Sequence, residues 1–199
     1  MNKILLLLVM ATFSMSCAAQ DIALPSPSKT GGKPLMEALN ERKSSREFAE
    51  TKLSEQTLSN LLWAAYGFSH EDKRTAPSAN NRQEFTIYAV MESGIYIYNA
   101  KENKLSLKAE GDFRADMGGQ DFVATAPLNL VYVADMTETS PEIAYVDCGF
   151  ISQNVYLYCS SEGLATVVRG YFDADTVKKA LQLEDNQRPI LTQTVGYPK

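Results

Sequence analysis

One long segment, residues 142–162, constrains the fold of this 199-residue chain more than any other stretch. A helix of this length extends roughly 30 Å, about the diameter of a small domain. Gly163 follows it as a typical C-terminal stop. Apolar residues recur on more than one of its faces: Ile143, Val146, Phe150, Ile151, Val155, Leu157 and Tyr158. Because such a helix must be covered on several sides, the sequence predicts a core helix with other elements packed around it.

Strand-forming runs predict the sheet that this helix covers. Three runs alternate between apolar and polar side chains and form a β-meander: 85–91, 95–98 and 104–108. A fourth run, 128–134, is apolar almost throughout, which is typical of a buried central strand. Two shorter strands are predicted at 165–168 and 190–195.

The remaining segments predict the helices and loops around this sheet. Helices are expected at 34–42, 54–66 and 173–181, and the polar segment 112–125 is also expected to be helical. Residues 67–84 are predicted to form a polar loop. The predicted fold class is therefore α+β, with a central, mainly antiparallel sheet flanked by helices.

Residues 1–19 are typical of a bacterial signal peptide. A short positive start precedes the apolar run 4–13, which is too short to span a bilayer as a helix. Cleavage before Cys17 would leave a lipid-modified cysteine, whereas ordinary cleavage would follow Ala19. In either case we expect an exported protein, periplasmic or anchored to the membrane by a lipid on Cys17.

The rest of the chain divides into a tether and one domain. Residues 20–33 are rich in proline, serine, lysine and glycine, which predicts a flexible tether. Residues 34–199 are enough for a single domain with its own hydrophobic core. The net charge of −5 disfavours the broad basic surface that nonspecific nucleic-acid binding needs, so no nucleic-acid partner is expected.

Cysteine and histidine chemistry finds little support in the sequence. Cys148 and Cys159 fall on one predicted helix, about 16 Å apart, which is too far for a disulfide and indicates buried thiols. No spacing typical of a metal site occurs, so no metal is expected. A Ser-His-Asp triad would have to use His70, the only histidine, which lies in a polar stretch without a partner pattern.

Residues 42–46, Arg-Lys-Ser-Ser-Arg, concentrate positive charge in an acidic protein. Arginine offers a planar fork of N–H donors, lysine a point charge and serine a hydroxyl, a combination that suits a phosphate group. Taken alone, the same run is more typical of a solvated turn between two helices.

Five short motifs, including this cluster, follow one another in order between residues 34 and 197. They are R-x-S-x-R (Arg42, Ser44, Arg46, then Phe48), L-x-x-L-L-W-A-A-x-G (58–67), P-S-x-x-N-x-Q (Pro77, Ser78, Asn81, Gln83), G-x-Y-x-Y (94–98) and D-x-G-x-x-x-Q-N-x-x-L (Asp147, Gly149, Gln153, Asn154, Leu157). Together they resemble the nitroreductase family of FMN flavoproteins. The second and fourth motifs resemble its azoline (thiazole/oxazole-forming) oxidase branch in particular.

The resemblance implies a nitroreductase-like fold that forms an obligate-type homodimer with FMN bound at its interface. It implies that Arg42, Ser44 and Arg46 hold the flavin's phosphate, ribityl chain and ring edge, with Lys43 beside them. Relatives often continue into a basic tail that grips the phosphate, and here Lys199 is the candidate substitute. We therefore expect the cluster to supply more of that grip than it does in relatives with the tail.

The resemblance also implies that two other regions contact the flavin. The loop expected to close over the cofactor from the second subunit contributes Pro77, Ser78, Ala79, Asn81 and Gln83. Backbone groups of Val168, Arg169 and Gly170 are expected near the ring and its N5 atom, and Gln120 is a further candidate for ring contact. Without the resemblance, the loop would be an ordinary surface turn.

The implied function is that of an FMN-dependent oxidoreductase that transfers a hydride through flavin N5 to or from a small unsaturated, aromatic or azoline-type substrate. The flavin carries the chemistry, so no catalytic side chain is assigned. NAD(P)H is the electron donor by resemblance, but nicotinamide cofactors are not expected outside the cytoplasm, so the donor is left open. Two alternatives also stay open: an exported flavin- or small-ligand-binding lipoprotein with little turnover, and an adhesion or scaffold lipoprotein without a cofactor.

Overall fold

The computed structural model describes residues 20–199, and a seven-stranded sheet runs through its centre. The strands are β1 (Ile22–Ala23), β2 (Phe68–His70), β3 (Lys73–Arg74), β4 (Phe85–Met91), β5 (Gly94–Asn99), β6 (Lys104–Glu110), β7 (Leu128–Asp135), β8 (Ala165–Arg169) and β9 (Gln187–Gly196). The α-helices are α1 (Leu35–Glu41), α2 (Glu55–Tyr66), α3 (Asp121–Thr125), α4 (Pro141–Glu162) and α5 (Ala174–Ala180). The strand order across the main sheet is β1-β6-β5-β4-β7-β9-β8, and β2 pairs with β3 separately.

The arrangement confirms the predicted α+β class. Every strand pairing in the main sheet is antiparallel. The predicted strands and the helices α1, α2, α4 and α5 are present within a few residues of their expected bounds. The polar segment 112–125 forms a short 3-10 turn, Arg114–Met117, followed by α3, and not one continuous helix.

The sheet is covered on both faces, which explains why β7 is apolar almost throughout. Leu130 and Tyr132 of β7 face a core cluster built with α2 and α4. Val131 and Val133 face a second cluster, to which α3 and α5 contribute. Since consecutive strand residues point to opposite faces, a strand with helices on both sides has to be apolar at nearly every position.

Helix α4 begins and ends where its flanking residues dictate. Ser140 accepts a hydrogen bond from the Ile143 amide at 3.4 Å, and Gly163 ends the helix in the left-handed conformation with a φ of 69°. One stripe of the helix packs on the sheet: Ala144, Cys148, Ile151, Val155 and Cys159. Both cysteines on this stripe are free and buried, as predicted, and burial raises the pKa of each thiol.

The outer side of α4 stays exposed within one chain. Tyr145, Val146 and Phe150 are 47%, 54% and 44% exposed, respectively. The predicted core helix is thus covered by the sheet, α1 and α2, whereas its outer side is exposed within the single chain. None of the helices within residues 20–199 has the length and apolar content needed to cross a bilayer.

Residues 20–33 pack against the domain, which corrects the prediction of a flexible tether. Strand β1 pairs with β6, with Ile22 opposite Leu105. Leu24 is buried in the same core cluster as α2 and α4. Composition alone indicated flexibility, but two apolar residues at alternate positions beside the available edge of β6 favour a strand.

Hydrogen bonds hold this N-terminal segment beyond its strand. The Asn103 side-chain amide donates to the Pro25 carbonyl at 2.8 Å, and the Ser59 hydroxyl donates to the same carbonyl. The predicted signal peptide, residues 1–19 with Cys17, lies outside the described residues.

The polar stretch 67–84 contains more structure than the predicted loop. Strands β2 and β3 form a hairpin, which a 3-10 turn, Ala79–Asn81, follows. The Arg74 guanidinium lies 4.6 Å from the Tyr66 ring centroid and 4.0 Å from the Phe68 ring centroid. It also donates to the Tyr66 carbonyl at 3.0 Å, so one cation fixes the hairpin on the end of α2.

Candidate functional site

The predicted basic cluster lies in an extended segment that runs along the edge of the sheet. Helix α1 ends at Glu41, and β8 is the last strand of the sheet on this side. The Ser45 amide donates to the Thr166 carbonyl of β8 at 2.9 Å. Phe48 anchors the far end of the segment against Phe122, with ring centroids 5.4 Å apart. The cluster is therefore fixed on β8, unlike the freely solvated turn that the run alone indicated.

Arg42 and Ser44 meet around the side chain of Tyr156 on α4. Ser44 Oγ lies 2.8 Å from the Tyr156 hydroxyl oxygen, and the Arg42 guanidinium lies 5.1 Å from the Tyr156 ring centroid. The Val168 amide donates to the same hydroxyl at 3.0 Å, while Arg46 is exposed to solvent. Sequence reasoning missed Tyr156. The signal that would have indicated it is a tyrosine on a buried helix face, since its hydroxyl needs a partner there.

Lys43 lines a cavity of about 340 Å³ next to the cluster. Ser45 and Lys199 line the same cavity, as does Lys33, which is paired with Glu41. The fold thus brings Lys199 to the cluster, where it can add positive charge beside Lys43.

Hydrogen bonds within the chain also fix the predicted flavin-closing loop, residues 77–83. The Ala79 amide donates to an Asp147 carboxylate oxygen on α4 at 2.8 Å. The Gln83 amide donates to the Ser78 hydroxyl at 2.9 Å. The loop therefore has a set shape before any ligand or partner meets it.

The Gln83 side chain is used inside this loop. Its carbonyl oxygen accepts a hydrogen bond from Arg74 at 2.9 Å, and its amide donates to Asn81 at 3.1 Å. Asn80, Asn81 and Gln83 all adopt positive φ values, of 54°, 55° and 55°. Of the predicted loop residues, Pro77 and Asn81 are exposed, whereas Gln83 positions the loop.

The two halves of the predicted site do not meet within one chain. The loop is attached at Asp147 and the cluster at Tyr156, both on α4. Nine helical positions separate these residues, which corresponds to about 14 Å along the helix. A single chain therefore presents the cluster and the loop as two separate surfaces.

The predicted ring contact at the end of β8 has to be a backbone contact, because the Arg169 side chain points inward. Arg169 is 5% exposed and donates to the Met117 carbonyl at 3.0 Å and to Asn129 Oδ1 at 3.2 Å. Burial lowers the pKa of its guanidinium to about 10. Among the described residues its Nε has no hydrogen-bond partner.

Past Arg169 the chain returns to the surface. Gly170 is exposed, and Tyr171, which sequence reasoning did not single out, is 74% exposed. Tyr171 lines a cavity of about 440 Å³ together with Gly118 and Gly119. Gln120 follows this glycine pair, is half-buried and makes no side-chain capping bond to α3. The exposed backbone at Gly170 therefore has Tyr171 directly beside it.

A buried acidic pair lies behind the loop. Glu84 is 6% exposed, and neither of its carboxylate oxygens has a hydrogen-bond partner among residues 20–199. Burial raises the pKa of Glu84, and repulsion from Asp147 adds to the effect. Asp147 is 3% exposed and holds the Ala79 amide, so this pair lies under the attachment point of the loop.

Two groups of exposed apolar side chains, together called the apolar surface, lie on α1 and α4. This surface consists of exposed side chains on α1 and on the outer side of α4: Leu35, Met36, Leu39, Tyr145, Val146 and Phe150. Helix α1 packs on α4, so the two groups of side chains belong to neighbouring helices. Exposed apolar patches of this kind mark interaction surfaces.

Taken together, these observations describe an α+β protein with an antiparallel sheet whose edge strand β8 has a cationic segment fixed beside it. A family model for the nitroreductase family matches residues 39–197. The chain therefore belongs to the nitroreductase family.

Two relatives match over nearly their whole length. A protein of Methanocaldococcus jannaschii is 28% identical over 180 residues, which make up 81% of this chain and 90% of that protein. A crystal structure from Ralstonia eutropha is 38% identical, with a TM-score of 0.85, and the match covers 92% of this chain and 91% of that chain. Both carry the name "putative nitroreductase".

A more distant structure shares the fold. The Escherichia coli microcin synthetase McbBCD complex, solved with truncated pro-MccB17 bound, contains a chain that is 16% identical, with a TM-score of 0.70. The match covers 100% of this chain and 85% of that chain. At this identity the similarity shows a shared fold alone.

Proposed function

We propose that the protein is an FMN-dependent oxidoreductase of the nitroreductase type. The observation that carries the proposal is the cationic cluster fixed on the edge of β8. Within the described part of the chain, none of Arg42, Lys43 and Arg46 forms an ion pair with a carboxylate, so their charge is available to a ligand. In a nitroreductase-family fold, that charge supports the binding of an FMN phosphate.

The residues present fit this cofactor in their chemistry. Arg42 and Arg46 offer guanidinium forks, and Ser44 offers a hydroxyl, within one short extended segment. Lys43 and Lys199 add charge from the neighbouring cavity, which suits a phosphate bearing up to two negative charges. Gly170 is exposed and has no side chain of its own, which suits close approach of a planar ring to its backbone.

When bound, FMN supplies hydride transfer at its N5 atom to or from a small unsaturated, aromatic or azoline-type substrate. The chain's own residues bind and orient the cofactor and exclude water. Its electron donor is part of the same proposal, and NAD(P)H is the donor to test first. The azoline-type substrate rests on the resemblance of residues 58–67 and 94–98 to the azoline-oxidase motifs.

The proposal includes a homodimer. Two observations support it: the apolar surface on α1 and α4, and the distance along α4 between the basic cluster and the loop at residues 77–83. A second copy packed on the apolar surface would bring its Pro77 and Asn81 towards the first copy's cluster. The complete site would then consist of the cluster of one protomer and the loop of its partner.

Export belongs to the same proposal and has its own test. The apolar run 4–13 and the small residues around Cys17 support a signal peptide, cleaved before Cys17 or after Ala19. Mass spectrometry of the mature N-terminus should find one of these two ends. A mature protein that retains Met1 would contradict export.

The visible spectrum of the purified protein is the first experiment. We expect a yellow protein that releases FMN on denaturation and whose flavin is reduced by NADH or NADPH. A colourless protein that FMN neither binds nor stabilises against heat would overturn the proposal. A yellow protein whose flavin no donor or dye-coupled system reduces would favour a flavin-binding protein without turnover.

The cluster is tested by replacing both arginines. Arg42→Ala with Arg46→Ala should lower FMN affinity at least 100-fold, since two charge-assisted contacts are lost. A charge-matched control, Lys179→Ala with Arg188→Ala, removes two exposed cations elsewhere and should bind FMN like the wild type. Isothermal titration of the apoproteins measures both. Unchanged affinity in the Arg42 and Arg46 variant would refute the site assignment.

A further inference from the structure

The hydroxyl of Tyr156 connects two parts of the proposed FMN site that are far apart in sequence. Tyr156 is 7% exposed. Its hydroxyl oxygen lies 2.8 Å from Ser44 Oγ in the basic cluster and 3.0 Å from the Val168 amide nitrogen on β8. The Arg42 guanidinium lies over its ring at 5.1 Å. One side chain therefore contacts the segment expected at the phosphate and the strand expected at the flavin ring.

The direction of these hydrogen bonds follows from their donors. A backbone amide can only donate, so the Tyr156 oxygen accepts from Val168. The Tyr156 hydroxyl proton then needs an acceptor, and Ser44 Oγ is the acceptor within reach among the described residues. Because Ser44 accepts this proton, its own hydroxyl proton is directed away from Tyr156, toward the exposed side of the segment.

We propose that Tyr156 is a positioning residue that fixes Ser44 as a hydrogen-bond donor toward the bound FMN. The inference rests on the proposed function, since it names how that site is organised. The chain of donors runs from the Val168 amide to Tyr156, then to Ser44 and on to an oxygen of the cofactor. It holds the Ser44 hydroxyl in the orientation that an oxygen acceptor requires before the ligand arrives.

A double-mutant cycle in FMN binding tests the proposal. Tyr156→Phe and Ser44→Ala should each weaken FMN binding about fivefold to tenfold, since each breaks the same chain of hydrogen bonds. The double variant should bind FMN about as strongly as the weaker-binding single variant, because the first change has already broken the chain of hydrogen bonds. Ser44→Thr retains the hydroxyl and should keep an affinity near that of the wild type.

Tyr158→Phe is the matched control, because it removes a hydroxyl two positions further along α4. Tyr158 lines a cavity that α2 and the N-terminal segment share, away from Ser44. We expect wild-type FMN affinity for it. The absorption maxima of bound FMN should shift in Tyr156→Phe and Ser44→Ala alike and stay in place in Tyr158→Phe, a difference that a purely structural role would not produce.

Three results would overturn the inference while the proposed function stands. The first is wild-type FMN affinity in Tyr156→Phe, and the second is additive losses of FMN affinity in the double variant. The third is a loss of FMN affinity in Tyr156→Phe that is explained by lower apoprotein stability and comes without a spectral shift. If Tyr156→Phe does not fold, the Ser44 variants test the inference instead. Equal FMN affinity in Ser44→Ala and the wild-type protein would overturn it. Absence of FMN binding by the wild-type protein is a separate result, which defeats the proposed function itself.

Discussion

At the scale of single residues, the site combines side chains that local spacing indicates with others that only the fold brings in. Arg42, Ser44 and Arg46 were assigned through the R-x-S-x-R motif that resembles the nitroreductase family, since the run alone is more typical of a solvated turn. The partners of Tyr156 and Glu84 could not be predicted, because each contacts a residue far along the chain. Ser44 and Tyr156 are 112 positions apart, and no local pattern reports that they touch.

Glu84 gives a pH-dependent prediction at this scale. Its pKa in the folded state is raised by burial, with Asp147 adding repulsion and Arg82 acting in the opposite direction. A carboxyl group with a raised pKa contributes stability at pH values below its unfolded-state pKa, and that stability is lost as pH rises through the folded-state pKa. Glu84→Gln removes the charge, so it should stabilise the protein by about 1 kcal/mol at pH 7.5.

The difference should shrink toward zero as the pH falls to about 3, well below the unfolded-state pKa, where the wild-type carboxyl is protonated in both states. Urea unfolding of both proteins at several pH values measures this difference, and pH effects of other groups cancel in the comparison. Glu138→Gln, at an exposed position, serves as the control. A variant that is less stable than the wild type at neutral pH would contradict the expected sign.

At the scale of elements, periodicity identified most strands and helices, and it failed where an element depends on a partner. Strand β7 was predictable because burial on both faces leaves a continuous apolar run. Strand β1 was not predictable, because it contains only Ile22–Ala23 and depends on pairing with the edge of β6. The hairpin of β2 and β3 depends in the same way on Arg74 packing between two aromatic rings.

The attachment of the N-terminal segment can be tested at Asn103. Its side-chain amide donates to the carbonyls of Leu24 and Pro25 at 3.3 and 2.8 Å, and to Ser59 Oγ at 3.1 Å. Asn103→Ala should lower the free energy of unfolding by about 1–2 kcal/mol. It should also speed tryptic cleavage after Lys29, since the segment opens more often.

Asn40→Ala is the control for this experiment, at an exposed position on α1. It should change neither the free energy of unfolding nor the cleavage rate by a measurable amount. Rapid cleavage after Lys29 in the wild-type protein itself would mean that the segment is free, as its composition indicated.

At the scale of the whole molecule, the apolar residues of α4 have two roles that a helical period cannot separate. Ile151 and its stripe face the sheet, whereas Val146 and Phe150 face outward. A hydrophobic pattern indicates that both sides avoid water, but it does not indicate whether the same chain or another chain covers them. The predicted site is likewise incomplete within one chain, because its two halves lie on separate surfaces.

The proposed dimer gives the prediction at this scale. Val146→Glu with Phe150→Glu places two charges on the apolar surface and should shift the protein from dimer to monomer in sedimentation velocity. Because the site would lose the partner's loop, FMN affinity should fall at least tenfold while the circular dichroism spectrum is retained. A control with two added carboxylates at the two ends of α5, Ala174→Glu with Gln182→Glu, should remain dimeric and bind FMN. A wild-type protein that sediments as a monomer with FMN bound would contradict the proposal.

The covering of the two ends of the main sheet has a consequence for solubility. A bare edge strand offers unpaired amides and carbonyls on which another chain can add as a further strand, the first step of aggregation. Here β1 occupies the outer side of β6, and on β8 the Thr166 carbonyl and the Val168 amide are bonded to Ser45 and Tyr156. The N-terminal segment, which composition marks as a mere spacer, thus protects one end of the sheet from self-association, and the cationic segment protects the other.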